Sequence, residues 1–192
     1  MPVKKGLVLT IASLLFITVA GIGAWAYFLD TESSAENQFS AGTLDLKTND
    51  ADGVTQTLFI TSMKPGDTVG PETINLNNAG TLDGSTLDIA FSYVESDGSP
   101  NLVDKSADDT AALMEVTTLI YGGSSLMGNV NDTNSNGYKD IEDLKNADLS
   151  RQRGLNAEAT KGFEIAVRLK ESMGNDFQTD GITLTITFTL NQ

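Results

Sequence analysis

The sequence predicts an all-β protein, an antiparallel β-sandwich with short helical insertions, preceded by an N-terminal signal peptide. Three observations predict it. Runs in which apolar and polar residues alternate recur along the chain, and Gly/Asn/Asp/Pro turns separate them. One long uncharged stretch stands behind two lysines at the very start.

The front end reads as an address. Met1 to Lys5 carries Lys4 and Lys5, and Gly6 to Leu29 then runs without a charge. Its apolar centre, Leu7 to Ala20, is followed by Gly21 and Gly23. Ala24-Trp25-Ala26 then fits the A-x-A pattern of a signal-peptidase site, with cleavage before Tyr27. The same run is long enough to span a bilayer, where about 20 apolar residues suffice, so a retained anchor is the alternative. Both readings export the body of the chain, because Lys4 and Lys5 hold the short N-terminus inside.

Strand candidates follow in order. Gln38 to Leu46 alternates through Phe39, Ala41, Leu44 and Leu46; Val54 to Met63 centres on Leu58, Phe59 and Ile60. Pro65-Gly66 turns into Glu72 to Leu76, and Asn77 to Gly80 turns again. In Thr86 to Val94, Leu87, Ile89, Phe91 and Tyr93 share one face. Ser96 to Asp109 is polar and reads as a surface loop, and Leu113 to Tyr121 is a further strand. Phe163 to Leu169 alternates, and Ile182-Thr-Leu-Thr-Ile-Thr-Phe-Thr-Leu190 is the cleanest strand of all, apolar residues against threonines. Only Asp140 to Asp148 and Asn156 to Thr160 read as helical. Roughly seven strands with such turns spell a sandwich. The last strand carries no lysine or proline to blunt an edge, so it is a pairing site if it lies at an edge and an ordinary strand if it is central.

Composition narrows the chemistry. The chain has 192 residues and a formal charge of −14, which disfavours nucleic acid and anionic lipid as partners of the folded part. The membrane enters only through the signal segment. There is no cysteine, so no disulfide staples an exported fold, and no histidine, so no Ser-His-Asp triad, Cys-His pair or HExxH zinc site can be built. No catalytic and no organic-cofactor residues are assigned.

Past the cleavage site the chain reads Gly23-Ala-Trp-Ala-Tyr-Phe-Leu-Asp-Thr-Glu-Ser-Ser34 and then Asn37-Gln-Phe-Ser-Ala-Gly-Thr-Leu-Asp-Leu46. Lys64-Pro-Gly-Asp67 and Asn77-Asn-Ala-Gly80 follow. These blocks resemble the TasA/camelysin (CalY) family, whose signal peptides are cut by a SipW-type signal peptidase. The resemblance is dense over roughly residues 20–92. It implies a jelly-roll-like sandwich and a subunit of extracellular fibres or biofilm matrix, a homopolymer in which the N-terminal segment of one copy completes the sheet of the next. On this chain residues 1–26 would be the signal peptide, 27–38 the donor segment and 39–192 the sandwich. Asp30 to Asn37 is polar, so the residues themselves read equally as a solvated linker.

One constellation carries metal chemistry. Asp132-Thr-Asn134-Ser-Asn136-Gly137-Tyr138-Lys-Asp140-Ile-Glu-Asp143, inside an insertion near 129–148, matches a calcium loop. Oxygen ligands fall at Asp132, Asn134, Asn136, the Tyr138 carbonyl, Asp140 and Asp143, and Gly137 allows the sharp turn. A hard cation needs several oxygens on one tightly turned segment, and this spacing delivers them. Asp replaces the usual Glu at the last position, and Gly122 to Gly128 is a poor helix former, so the loop is half an EF-hand. The expected role of Ca²⁺ is structural, with affinity in the roughly 10⁻⁴–10⁻³ M range of extracellular modules. The bland alternative is a polar turn.

The leading expectation is therefore an exported structural protein, at the cell surface or in the matrix, and not an enzyme. The alternatives are a camelysin-like cell-surface metalloprotease and a monomeric, membrane-anchored surface module.

Overall fold

The computed structural model describes residues 42–49, 51–52, 55–60, 63–97, 105–171 and 180–192. The chain divides into two units, Met1–Ala41 and Gly42–Gln192, and every described residue lies in the second. The expected signal peptide, with Ala24, Ala26 and Tyr27 at its expected cleavage site, and the expected donor segment 27–38 therefore lie outside the described residues. No helix among the described residues is long and apolar enough to cross a membrane.

Two antiparallel sheets make the fold. In chain order the strands are β1 (Leu46–Thr48), β2 (Ala51–Asp52), β3 (Thr55–Ile60), β4 (Thr68–Asn78), β5 (Thr86–Glu95), β6 (Met114–Tyr121), β7 (Ser124–Ser125), β8 (Leu149–Arg153), β9 (Thr160–Leu169) and β10 (Ile182–Asn191). Helix α1 is Ala107–Ala111 and helix α2 is Ile141–Asn146. The six-stranded sheet runs β2-β1-β4-β9-β6-β7 and the four-stranded sheet β3-β10-β5-β8. The inner faces meet through Ile74, Leu76, Leu119, Phe163 and Ile165 on one side and Leu87, Ile89, Leu184, Ile186 and Phe188 on the other, all buried. The Phe163 ring lies 5.2 Å from Phe188 and 6.4 Å from Phe91, so one side chain of the larger sheet packs on two strands of the smaller.

Alternation explains the strands that were legible. In β10, Ile182, Leu184, Ile186 and Phe188 are fully buried while the intervening Thr183, Thr185 and Thr187 are half-exposed. The strand is central, paired with β3 on one side and β5 on the other, so its regularity reflects the core and not an edge. β4 runs from Thr68, beyond the expected Glu72 start, because it continues its pairing with β9 past a bulge between Val69 and Glu72.

Three expectations are corrected. Asn156 to Thr160 is not helical: residues 157–158 form a turn and Thr160 opens β9. Within the expected loop Ser96 to Asp109, α1 starts at Ala107, because the Ser106 hydroxyl accepts the Asp109 N–H at 3.2 Å and caps it. Of the expected strand Gln38 to Leu46, residues 38–41 lie outside the described residues; of the rest only Leu46 is in a strand, and Gly42 to Asp45 runs outside either sheet.

That segment explains the Asn77-Asn-Ala-Gly80 turn. The Thr43 carbonyl accepts from Thr81 N–H at 2.8 Å and Leu82 N–H at 3.1 Å, and Asp45 carbonyl accepts from Ala79 at 2.7 Å. The buried Asn78 amide donates to the Leu82 and Leu155 carbonyls at 2.8 and 3.1 Å and accepts the Gly80 N–H at 3.1 Å. A Cβ on Gly80 would stand 2.1 Å from Thr43 O, a backbone atom that cannot step aside. Gly80→Ala is expected to destabilise by at least the roughly 1–3 kcal/mol of an overpacked site, read as a lowered urea midpoint.

Across the sandwich, the buried Tyr121 hydroxyl donates to the Arg153 carbonyl of β8 at 2.8 Å. Burial pushes its pKa from 10.0 up to about 12. The folded state thus favours the protonated phenol, and the stability it contributes is full below pH 10.0 and lost as pH rises through about 12. A denaturation series from pH about 9 to about 12 should show this alkaline loss, and Tyr121→Phe should reduce it.

Candidate metal centre

The acidic loop lies between a single 3₁₀ turn, Met127–Asn129, and α2. It wraps around its first residue: the Asp132 carboxylate accepts the N–H of Asn136 at 3.1 Å and of Gly137 at 2.9 Å. Asn134 Oδ1 accepts Asn136 N–H and Asn136 Oδ1 accepts Tyr138 N–H, each at 3.2 Å. Gly137 has φ +92°, the left-handed conformation that the sharp turn demands.

Two buried carboxylates close the cluster. Asp140 is 0% exposed and Asp143 1% exposed. They cap α2 reciprocally: Asp140 Oδ1 accepts the Asp143 N–H at 3.0 Å, and Asp143 Oδ2 accepts the Asp140 N–H at 3.1 Å. Asp140 Oδ2 accepts from both Asn134 Nδ2, at 3.0 Å, and Asn136 Nδ2, at 2.7 Å. Thr133 gives Asp143 Oδ1 both its N–H, at 2.6 Å, and its hydroxyl, at 2.7 Å. Burial pushes the Asp140 pKa up, against the opposing bonds from Asn134, Asp143 N–H and Asn136, and the neighbouring Asp143 charge pushes it further up.

Five of the six expected ligand residues, Asp132, Asn134, Asn136, Asp140 and Asp143, are thus joined into one hydrogen-bonded cluster. Tyr138 is tied in through its N–H. The count of carboxylates is small: among the described residues no group of three or more His, Cys, Asp or Glu is placed to hold a metal. A cation here would depend on amide and carbonyl oxygens beside the carboxylates. Sequence reasoning missed Thr133 and the capping box, although Asp140-x-x-Asp143 ahead of an apolar residue is a recognisable signal for the latter. It also missed Glu142, which accepts from Asn134 Nδ2 at 2.9 Å.

The loop is also a strap on the larger sheet. β7 pairs only with Ile120 and Tyr121, leaving the rest of β6 open on that side. There Val116 N–H donates to Lys139 O at 2.8 Å, and Glu115 bridges to Asp140. The Ala112 carbonyl, just before β6, accepts from Asn136 Nδ2 at 3.1 Å and from the Tyr138 hydroxyl at 2.8 Å. Lys170 stands over the Tyr138 ring at 3.2 Å, and Lys139 Nζ donates to the Met127 carbonyl.

No curated protein matches the sequence in a comparison of the whole chain. Over residues 2–192, which take in both units and the acidic loop, the sequence matches the family described as camelysin metallo-endopeptidase, and the chain belongs to that family.

Proposed function

We propose that this protein is an exported structural subunit of extracellular fibres, assembling by strand addition between copies, with a calcium ion as a structural cofactor of the acidic loop. Family membership supports a surface or exported protein. A SipW-type signal peptidase would release the chain before Tyr27, and the segment 27–38 would serve as the donor to the next copy. The observation that carries assembly is the outer edge of β3. Among the described residues it has no strand neighbour beyond β10, and Thr55–Ile60 holds neither a charge nor a proline to blunt it.

The family's description implies a catalytic metal, and the donor set does not fit one. Catalytic zinc is held by combinations that include histidine, and this chain has no histidine and no cysteine. A structural role without peptidase activity therefore suits these residues better.

Calcium suits the loop's chemistry. Two adjacent buried carboxylates are compensated only by N–H and O–H donors, and neither is in an ion pair among the described residues. Buried charges are ordinarily paired or bound to a cation. Asp132, Asn134, Asn136, the Tyr138 carbonyl, Asp140 and Asp143 would supply the oxygens.

Electron microscopy of chains starting at Tyr27 and at Phe39 tests the assembly. Fibres from the first and none from the second are expected. Fibres from both would sink the donor assignment, and monomers from both would favour a solitary surface module.

A further inference from the structure

Asn136 is the one asparagine in the chain that is followed by glycine. Glycine leaves the amide nitrogen after the asparagine unobstructed and its backbone freest to turn. Asn136 and Gly137 are both exposed to water, and Asn136 holds four of the loop's contacts at once, three through its side chain and one through its backbone N–H. Its Nδ2 donates to Asp140 Oδ2 at 2.7 Å and to Ala112 O at 3.1 Å, its Oδ1 accepts Tyr138 N–H at 3.2 Å, and its own N–H is held by Asp132 at 3.1 Å.

We propose that Asn136 is a site of spontaneous deamidation, and that its conversion to a carboxylate turns the loop from a self-bonded strap into one that needs a cation to stay closed. The reaction requires no enzyme. The Gly137 nitrogen attacks Asn136 Cγ, a new N–Cγ bond forms, and the Cγ–Nδ2 bond breaks. The Gly137 amide proton leaves with Nδ2 as ammonia. Water then opens the resulting succinimide at either carbonyl, giving aspartate or isoaspartate. The net change is one amide and one water to one carboxylic acid and one ammonia, without oxidation or reduction.

The folded loop restrains this step. Attack needs the Gly137 nitrogen to turn towards Asn136 Cγ, yet its N–H is held by Asp132 Oδ2 at 2.9 Å and the leaving Nδ2 is held by Asp140 and Ala112. The rate is thus governed by how often the loop opens. Once formed, a carboxylate at position 136 loses both Nδ2 donors. It sets an anionic oxygen against Asp140 Oδ2 and against the Ala112 carbonyl, where the amide now stands at 2.7 and 3.1 Å. Like charges at that range repel strongly when one of them is buried. The strap over the β6 edge then loses the Asn136 tie to Ala112. A divalent cation reverses the sign of the effect, because the new carboxylate is a stronger ligand than the amide it replaces. Isoaspartate adds a backbone carbon between positions 136 and 137, which shifts Asp140 and Asp143 out of register with Asp132.

The modification itself stands on the exposed Asn136-Gly137 pair, whereas the cation dependence rests on the calcium reading above. Full-length protein is aged at mildly alkaline pH in EDTA, in CaCl₂ and in urea, and position 136 is followed by peptide mass spectrometry. The expected order of conversion is urea, then EDTA, then CaCl₂, each slower by several-fold, with Asp132→Ala accelerating the EDTA sample. Asn136 keeping its amide in folded, metal-free protein while the urea sample converts would overturn the proposal. Equal conversion in EDTA and CaCl₂ would leave the modification standing and overturn the calcium reading. Asn136→Asp, made directly, should melt below the parent in EDTA and should gain more from CaCl₂ than the parent does. A melting temperature in EDTA equal to the parent's would overturn the strap consequence.

Discussion

Phe163→Ala should lower the stability of the sandwich by about 3–5 kcal/mol, the cost of truncating a fully buried phenylalanine. The side chain is 0% exposed and its ring meets Phe188 at 5.2 Å and Phe91 at 6.4 Å. Both contacts come from the opposite sheet, on two of its strands, so the cavity opens in the layer that holds the two sheets together and cannot close by a local shift of one strand. Domains are stable by only about 5–15 kcal/mol, so this one change removes a large share of the total. With no disulfide to limit the unfolded chain, nothing covalent offsets it. Urea denaturation followed by circular dichroism is the measurement, and the midpoint should fall with the slope unchanged. Phe163→Leu should lose distinctly less. A loss under about 1 kcal/mol for the alanine variant would mean that the sheets are not held together at this point.

Calcium should raise the melting temperature, and Asp132→Ala should abolish the rise. With a dissociation constant of roughly 10⁻⁴–10⁻³ M, calcium at about 10 mM exceeds it by about 10- to 100-fold, which is worth about 1.4–2.7 kcal/mol. For a chain of this size that is a shift of roughly 3–10 °C. Asp132 and Asp143 separate two contributions. Asp143 also caps α2, so Asp143→Ala should cost about 1 kcal/mol even in EDTA, on top of the lost calcium response. Asp132 lies outside the helix cap and holds only the loop backbone, through Asn136 and Gly137. Magnesium is the control, since it demands a tighter octahedron and parts with its water reluctantly. If calcium raises the melting temperature of the parent and of Asp132→Ala equally, it acts through the −14 surface and not through the loop.

The acidic loop shows how far residue spacing carries an argument. Asp132, Asn134, Asn136, Asp140 and Asp143 were legible as one cluster because a turn of this tightness dictates which side chains point inward, and the fold joins them by hydrogen bonds. The spacing could not show that the same loop lies along β6. Val116 and Lys139 meet there, as do Ala112 and Tyr138, across separations in sequence that no local pattern encodes. β8 was missed for a related reason. Arg151 has φ +56° and its N–H is held by Asp88 Oδ1 at 2.7 Å, so Leu149–Arg153 bends around a bulge and its side chains do not alternate.

By itself the sequence determined the all-β class, the alternating faces of β5, β9 and β10, the presence of β6, the Lys64-Pro-Gly-Asp67 turn and the oxygen-rich loop. Each is a local consequence of a backbone period or of a turn that only certain residues can make. The tertiary structure alone decided which strands are central and which are edges, that Asn78 and Gly80 exist to let Thr43 to Asp45 cross close by, and that the acidic loop covers β6. Those are matters of which surfaces meet. Sheet order is decided by burial of whole faces and by hydrogen bonds between distant segments, and neither is written in any one stretch of residues.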